Sequence, residues 1–469
     1  MKNLTRRQLI VGAGVAAAGA ALWKVSGPGG RMIDGLNRAN TVVTDAKLPS
    51  SADVVIIGAG IVGVTLAYHL ASRGVSVVVC EKGQVAGEAS GRAVGQVVSA
   101  GLSPEKMGIL NYAKREWALM NERVGGDTGY RRNGYLSPFT SDEDAGMWEA
   151  WLAAVKAEEP EARILSASQV RDLIGPGEWK GGYFNPTDGG VEPTMAAPAI
   201  AEGAKRAGAK IVAPCAVRGI ETSGGRVSGV VTELGTIQAS SVVLAGGCWS
   251  PLFARSLGID LPGLNIFSMV RSVYGVDGPP GTGDLPTVSW RKQVDGGYTI
   301  SVVGGTVPLV PGMLRDGLRY VDAWRKAHWD IHLNASTHFF EQMGVPSSWR
   351  MDEVSPFEKM RVLQPTSNDS LVQQAVDDIQ RMLPAFKGMR LADAWGGALI
   401  ATPDNIPTAS PVLSHPGLFF ATGLTYGMTM GPAISAMMAD IVMGNKPVID
   451  PHPYRYERYI DGTTLQFTN

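Results

Sequence analysis

Apolar residues along this chain come in short unbroken runs separated by stretches of helical period, the alternation expected of a sheet covered by helices. Val54-Val55-Ile56-Ile57 is such a run, closed by glycines 58, 60 and 63. Residues 61–73 then carry a helical pattern, and 76–80 form a second run that ends at Glu81. Met107, Leu110, Trp117 and Met120 give a helix over 104–124, and 142–175 reads as two more. Gly189–Thr194 is a turn entering a helix at 195–207. The runs 209–217, 226–233 and 236–239 predict a small antiparallel sheet, and 242–245 is an apolar strand ending in Gly246-Gly247-Cys248-Trp249-Ser250. Residues 265–305 read as strands with a hairpin turn at Gly296-Gly297. Residues 313–350 interleave Trp324, Trp329, Phe339, Phe340 and Trp349 with Arg315, Arg319, Arg325 and Lys326, the pattern of an amphipathic helical insertion. It is either a subdomain with its own core or a surface that meets a membrane or another protein. From Asp393 strand and turn return (Trp395-Gly396-Gly397, 418–421, Thr422-Gly423), followed by a helix at about 432–443. The predicted class is α/β.

The first strand, turn, helix, second strand and acid have the order of a dinucleotide-binding unit. Gly58 permits the tight turn, Gly60 lets backbone approach a pyrophosphate, and Gly63 lets helix and strand pack closely. The amides at Ile61 and Val62 open the helix, whose positive end faces the phosphates. Glu81, 18 residues beyond Gly63, is placed to accept hydrogen bonds from ribose hydroxyls.

The 469 residues suffice for one large domain with insertions or for two domains sharing an interface. With 42 basic and 43 acidic residues the net charge is −1, which leaves no electrostatic footprint for nucleic acid. Residues 1–25 hold a twin arginine in Thr5-Arg6-Arg7-Gln8-Leu9-Ile10 ahead of a mild apolar run from Leu9 to Trp23. That run is short for a full span, and resembles a Tat-type export signal that is either cleaved or kept as a membrane anchor. Residues 26–51 read as a linker. Cys80, Cys215 and Cys248 are too few and too scattered for a disulfide framework or a metal set, and read as core residues. His328 and His332, four apart on an expected helix with His338 nearby, lack the glutamate of a zinc motif, so no metal is expected.

Three later segments choose among dinucleotides. Lys82-Gly83-Gln84-Val85-Ala86-Gly87-Glu88-Ala89-Ser90-Gly91-Arg92-Ala93-Val94-Gly95-Gln96 supplies small residues and a hydroxyl before a helix start. Ala245-Gly246-Gly247 and Phe420-Ala421-Thr422-Gly423 supply two more close approaches. A nicotinamide enzyme needs only the first glycine turn, whereas a bulky isoalloxazine uses the later elements, so FAD is favoured over NAD.

On these residues the chain resembles the D-amino-acid-oxidase-type flavoproteins, and within them the membrane-associated L-amino acid deaminases of enteric bacteria. The likeness runs over the twin arginine, 52–63, 81–96, 215–225, 242–250, the insertion and 422–450. It implies a Rossmann-type FAD-binding domain (52–103, 190–260 and 390–450) and an antiparallel-sheet substrate domain (104–189 and 261–389) that carries the helical insertion. FAD would be held by Gly58, Gly60, Ile61, Val62, Gly63, Glu81, Lys82, Ser90, Gly91, Arg92, Ala93, Gln96, Val217, Gly246, Gly247, Trp249, Gly397, Gly423, Gly427, Met428 and Thr429. The implied chemistry is transfer of the Cα hydrogen of a neutral amine to flavin N5 as hydride. The imine then hydrolyses to a carbonyl and ammonia, with no metal and no covalent nucleophile. The resemblance further implies electrons passed to a respiratory quinone, at the periplasmic face of the inner membrane.

The chain departs from the deaminases where the substrate carboxylate is clamped. Their arginine falls at Val303, their substrate-side tryptophan at Tyr426, and the acid after it at Met430. Gln96, Arg271, Arg291 and Tyr426 are therefore the candidate substrate-side residues. The substrate is an amino acid or related primary amine, with a secondary amine, D-amino acid or aminosulfonate as the alternative. A non-catalytic flavin electron carrier is the reading outside enzymes.

Overall fold

The computed structural model describes residues 39–308, 316–327, 331–334, 344–365 and 369–468. The N-terminal segment with the twin arginine, and Arg315, His328, Trp329, His338, Phe339 and Phe340, lie outside these residues.

Val54–Ile57 is the central strand of a six-stranded sheet. The order is Thr408–Pro411, Leu418–Thr422, Ser241–Leu244, Val54–Ile57, Val77–Cys80, Lys210–Val212, and only Thr408–Pro411 is antiparallel to its neighbour. Its residues alternate between two cores, as the two-residue period of a strand requires. Ile56, Val79 and Val243 face helices Ile61–Ala71, Met107–Val124, Pro193–Arg206 and Gly427–Val442. Val55, Val78 and Val242 face the three-stranded sheet 217–238 and helix Ser250–Ser256. The chain reverses direction across the sheet on either side of Val54–Ile57, so the crevice at that strand's C-terminal end is where such folds bind ligands.

A second, ten-stranded sheet runs in the order Ile331–Asn334, Gly305–Pro308, Leu264–Tyr274, Tyr298–Val302, Val288–Lys292, Thr282–Asp284, Tyr135–Phe139, Gly181–Asn185, Arg163–Ser166, with Arg390–Ala401 also paired to Leu264–Tyr274. One face is closed by helix Asp369–Met382, where Ala375, Val376 and Ile379 pack on Val273, Trp290 and Tyr298. The other face turns toward the nucleotide crevice.

Several elements differ from the sequence reading. Lys210–Val212 joins the parallel sheet rather than the small antiparallel one, because its partner is the apolar strand Val77–Cys80. Strand Arg390–Ala401 belongs to the large sheet, and helix Met107–Val124 packs into the nucleotide-side core. The sequence boundaries put each with the other unit, since periodicity records that an element has an apolar face but not what covers it. The last long helix begins at Gly427, five residues before Pro432, which sits in its interior. Among its described residues the insertion has a single turn at Gly317–Tyr320 and a short helix Val321–Ala327. His332 lies in strand Ile331–Asn334, parallel to Gly305–Pro308, rather than on the expected helix. Among the described residues no group of three metal-ligating side chains exists.

Candidate functional site: a dinucleotide crevice opening into a sheet-walled chamber

The crevice is shaped by glycines. Gly58 has φ +107°, and a Cβ there would stand 2.6 Å from the carbonyl oxygen of Ala245 on the adjacent strand. A Cβ on Gly63 would lie 2.0 Å from the Gly58 carbonyl oxygen, so strand and helix meet at backbone distance. At Gly60 a Cβ would stand 3.1 Å from Ser90 Oγ. That hydroxyl accepts the Ile61 amide (2.9 Å) and so satisfies one donor at the start of helix Ile61–Ala71, which has no side-chain cap from Gly60 itself. Gly63 and Gly91 do not line the crevice but set its walls: a Cβ on Gly91 would be 2.3 Å from Ala86 O.

Glu81 ends the second strand with its carboxylate turned inward. Its oxygens accept the Ala59 and Gly83 amides, both at 2.8 Å. Burial raises its pKa, and the two amides and Lys82 oppose that rise without cancelling it. A carboxylate has room for further donors, so two ribose hydroxyls can be accepted there. Lys82 is engaged with Glu88 (2.7 Å), the Met360 and Arg361 carbonyls, and the face of Trp249 at 4.5 Å. Glu88 in turn accepts Trp249 Nε1 (2.9 Å) and the Leu363 amide (2.7 Å). This network makes Lys82 and Trp249 wall-builders. Val62, Val217, Gly246, Gly247 and Gly423 complete the crevice.

The crevice continues into a chamber of about 1250 Å³, the two sharing Ile61, Ser90, Trp249 and Gly427 as walls. One wall is segment 92–96. Arg92 is buried, donating to the carbonyls of Gly87 (3.0 Å) and Gly396 (3.1 Å), with Ala93 and Gly397 beside it. A second wall is the first turn of helix Gly427–Val442. Tyr426, Gly427, Met428 and Thr429 all face the chamber, and no side chain caps that N-terminus, so its amides and positive dipole end point inward. Thr429 Oγ1 donates to Gln96 O (3.3 Å) and Trp117 Nε1 to Met428 O (2.8 Å), fixing the helix end against the first wall. The third wall is the large sheet, through Leu264, Ile266, Ser268 and Val270 from one strand and Ser301, Val302 and Val303 from another.

An extended FAD fits this pair of spaces: a glycine cradle that any side chain would fill, an inward carboxylate for ribose, and a helix N-terminus where a ring carbonyl would come to rest.

Two of the four substrate-side expectations are corrected. Arg271 points away from the chamber. It follows Val270, and side chains alternate along a strand, so lining by 264, 266, 268 and 270 sends 271 to the opposite face. There its guanidinium donates to Ala392 O at 3.1 Å. Arg291 is buried and fully used, forked onto Glu192 at 2.6 and 2.9 Å, with further bonds to Val94 O (2.6 Å) and Thr299 Oγ1 (3.2 Å). It ties segment 94–96 to the sheet and cannot clamp a substrate. Gln96 and Tyr426 do line the chamber. Sequence reasoning missed Asp284 and Tyr135, which meet there: Asp284 Oδ1 accepts Gln96 Nε2 (2.7 Å) and Oδ2 accepts Tyr135 OH (2.9 Å). Burial, then Asp284 itself, hold the Tyr135 phenol well above its ordinary pKa, so it acts as a neutral donor. Each follows a glycine, Gly134-Tyr135 and Gly283-Asp284, a faint signal until pairing of the two strands brings them together.

The crevice and chamber define a flavoprotein oxidoreductase. The family described as DAO, FAD dependent oxidoreductase, matches residues 53–441, and this chain belongs to it. The protein is FAD-dependent. Within the family it is similar to the L-amino acid deaminase of Proteus myxofaciens, solved with anthranilate. That likeness is 37% identity at a TM-score of 0.88, over 92% of this chain and 99% of that one. It is 26% identical to glycine oxidase of Pseudomonas putida over 87% of this chain and 99% of that protein. It is 24% identical to the mitochondrial dimethylglycine dehydrogenase of Mus musculus over 89% of this chain and 45% of that protein, so it spans about half of the longer relative.

Proposed function

We propose that the protein oxidatively deaminates an amino acid or related primary amine, with FAD held by the crevice residues named above. The observation that carries this is the chamber: a largely apolar space continuous with the nucleotide crevice, closed by a sheet and met by a helix N-terminus. FAD supplies the two-electron acceptor for the C–N bond. The chain's own part is to position the substrate Cα about 3–3.5 Å from the acceptor atom, to exclude bulk water, and to offset negative charge through the amides of residues 427–429. Tyr426 forms the chamber wall at that helix end.

A second reading of the substrate, a secondary amine, D-amino acid or aminosulfonate, is favoured by one observation. The clamp position is Val303, on the chamber wall, and neither Arg271 nor Arg291 can replace it. Arg255, from helix Ser250–Ser256, lines the chamber.

We further propose export by the Tat-type N-terminal segment, residence at the periplasmic face of the inner membrane, and a respiratory quinone as acceptor. The twin arginine supports export. Exposed Leu318, Val321 and Trp324, interleaved with Arg319, Arg325 and Lys326 beside the chamber, support an anionic lipid surface. No helix among the described residues is long and apolar enough to span a membrane. The test is anaerobic bleaching of the bound flavin by a panel of L- and D-amino acids and amines, followed by reoxidation with a quinone or with oxygen. Bleaching by none rejects the deaminase reading, and abundant peroxide from the first turnovers rejects the quinone.

A further inference from the structure

Asp284 is a charged group on the chamber wall that the reading above leaves unused. It lies on the short strand Thr282–Asp284 and lines the chamber next to Gln96 and Tyr135. Both of its oxygens are held by neutral donors, an amide N–H at 2.7 Å and a phenol O–H at 2.9 Å. Among the described residues no ion pair pairs it with a cation. Arg291, on the adjacent strand of the sheet, is buried against Glu192 instead. A carboxylate fixed by neutral partners keeps its charge unneutralised, and in a mostly apolar chamber that charge acts at low effective dielectric.

The consequence is chemical selection. Gln96 is the amide that a substrate carboxylate would use on this side, but its N–H₂ is turned onto Asp284. An incoming carboxylate would meet a like charge beside it, whereas an ammonium or guanidinium would find an acceptor whose geometry is already set. Val303 adds no compensating positive charge on the sheet wall.

We propose that Asp284, positioned by Gln96 and Tyr135, is a specificity-determining residue that seats a cationic ammonium or guanidinium group of the substrate at this corner of the chamber. The proposal rests on the deaminase reading. It sets the substrate class as amines and amino acids that present positive charge there, through a basic side chain or through the reacting amine, which binds as the ammonium and passes one N–H proton to Asp284 before the neutral amine gives up hydride.

The experiment is anaerobic titration of the FAD-loaded protein with two non-oxidisable probes, guanidinium chloride and sodium benzoate, followed through the flavin spectrum. It is paired with bleaching rates for arginine, lysine, a diamine and leucine, for the wild type and D284N. The wild type should bind guanidinium more tightly than benzoate. Asp284→Asn should weaken guanidinium about tenfold or more and tighten benzoate, because a charge-assisted hydrogen bond is lost and a like charge removed. Loss of preference for arginine, lysine and the diamine relative to leucine would place a side-chain cation at Asp284, while an equal loss for all four would place the reacting amine there. Unchanged probe affinities in D284N, with the flavin spectrum and thermal stability of the wild type, overturn the proposal. Y135F serves as the second variant: it should shift probe affinities in the same direction by less, and an unchanged Y135F together with a misfolded D284N also overturns it. No bleaching by any amine, with probe binding as expected, would reject the deaminase reading and leave the cation site standing.

Discussion

The nucleotide crevice and the substrate chamber are built from different materials. The crevice is made of main chain: Gly58 and Gly63 bring backbone within distances no side chain tolerates, Ser90 and Glu81 satisfy backbone amides, and its chemistry follows from local turn geometry. The chamber is made of side chains contributed by elements far apart in sequence, with Gln96, Tyr135, Asp284 and Tyr426 meeting across two sheets and a helix end. Backbone-built sites are read by dipoles and shape, and so accept one cofactor whatever the substrate. Side-chain-built sites can change substrate through single residues, and Val303 and Asp284 are the chamber positions where that expectation is tested.

The largest effect should come from the crevice. Gly58→Ala introduces a Cβ 2.6 Å from Ala245 O at φ +107°, which should cost about 3 kcal/mol or more and give protein that retains little flavin. Retention of a full complement of FAD, measured by absorbance after gel filtration, would break the claim that this wall is set by backbone contact. Next comes the buried pair beneath the chamber. Removing one partner by Glu192→Ala or Arg291→Ala leaves an uncompensated buried charge, which should cost about 3–5 kcal/mol and lower Tm by many degrees. In the surviving folded fraction KM should hold steady, and a large KM rise with unchanged Tm would instead make Arg291 a substrate clamp.

A smaller effect tests Glu81 through pH. Its folded pKa is raised by burial, so the FAD-free protein binds this proton more strongly than the unfolded chain. Its contribution to stability is therefore greatest below about 4.5 and declines as pH rises above that value. Ribose hydroxyls donate to the ionised form, so apparent FAD affinity should rise with pH across the same window. Glu81→Gln should flatten both profiles, and an unchanged FAD affinity profile would remove Glu81 from the ribose site. The smallest effect is expected from Tyr426→Phe, less than about tenfold in kcat/KM, since the wall is kept and only a hydroxyl is lost. A loss well beyond that would show that the hydroxyl touches the reacting group.

Local patterns carried the crevice. The run 54–57, the glycines at 58, 60 and 63, the second run and Glu81 lie within one supersecondary unit, whose hydrogen bonds and turn angles are fixed by neighbours in sequence. The chamber was legible only in part. Gln96 and Tyr426 stand beside the glycine segments in sequence, but the sequence alone also offers Arg271 and Arg291 to the substrate, whereas strand alternation turns one away and Glu192 takes the other. Asp284 could not be distinguished from a loop acid, because its meaning comes from residues 149 and 188 positions away.

By itself, then, the sequence determined that a dinucleotide binds at the end of a buried parallel strand, since a glycine turn and a terminal acid need only their own βαβ unit to act. The tertiary structure decided which side chains line the chamber, because the charge of a side chain counts only with its partners, and long-range strand pairing set which carboxylate, Glu192, is neutralised and which, Asp284, is left on the chamber wall.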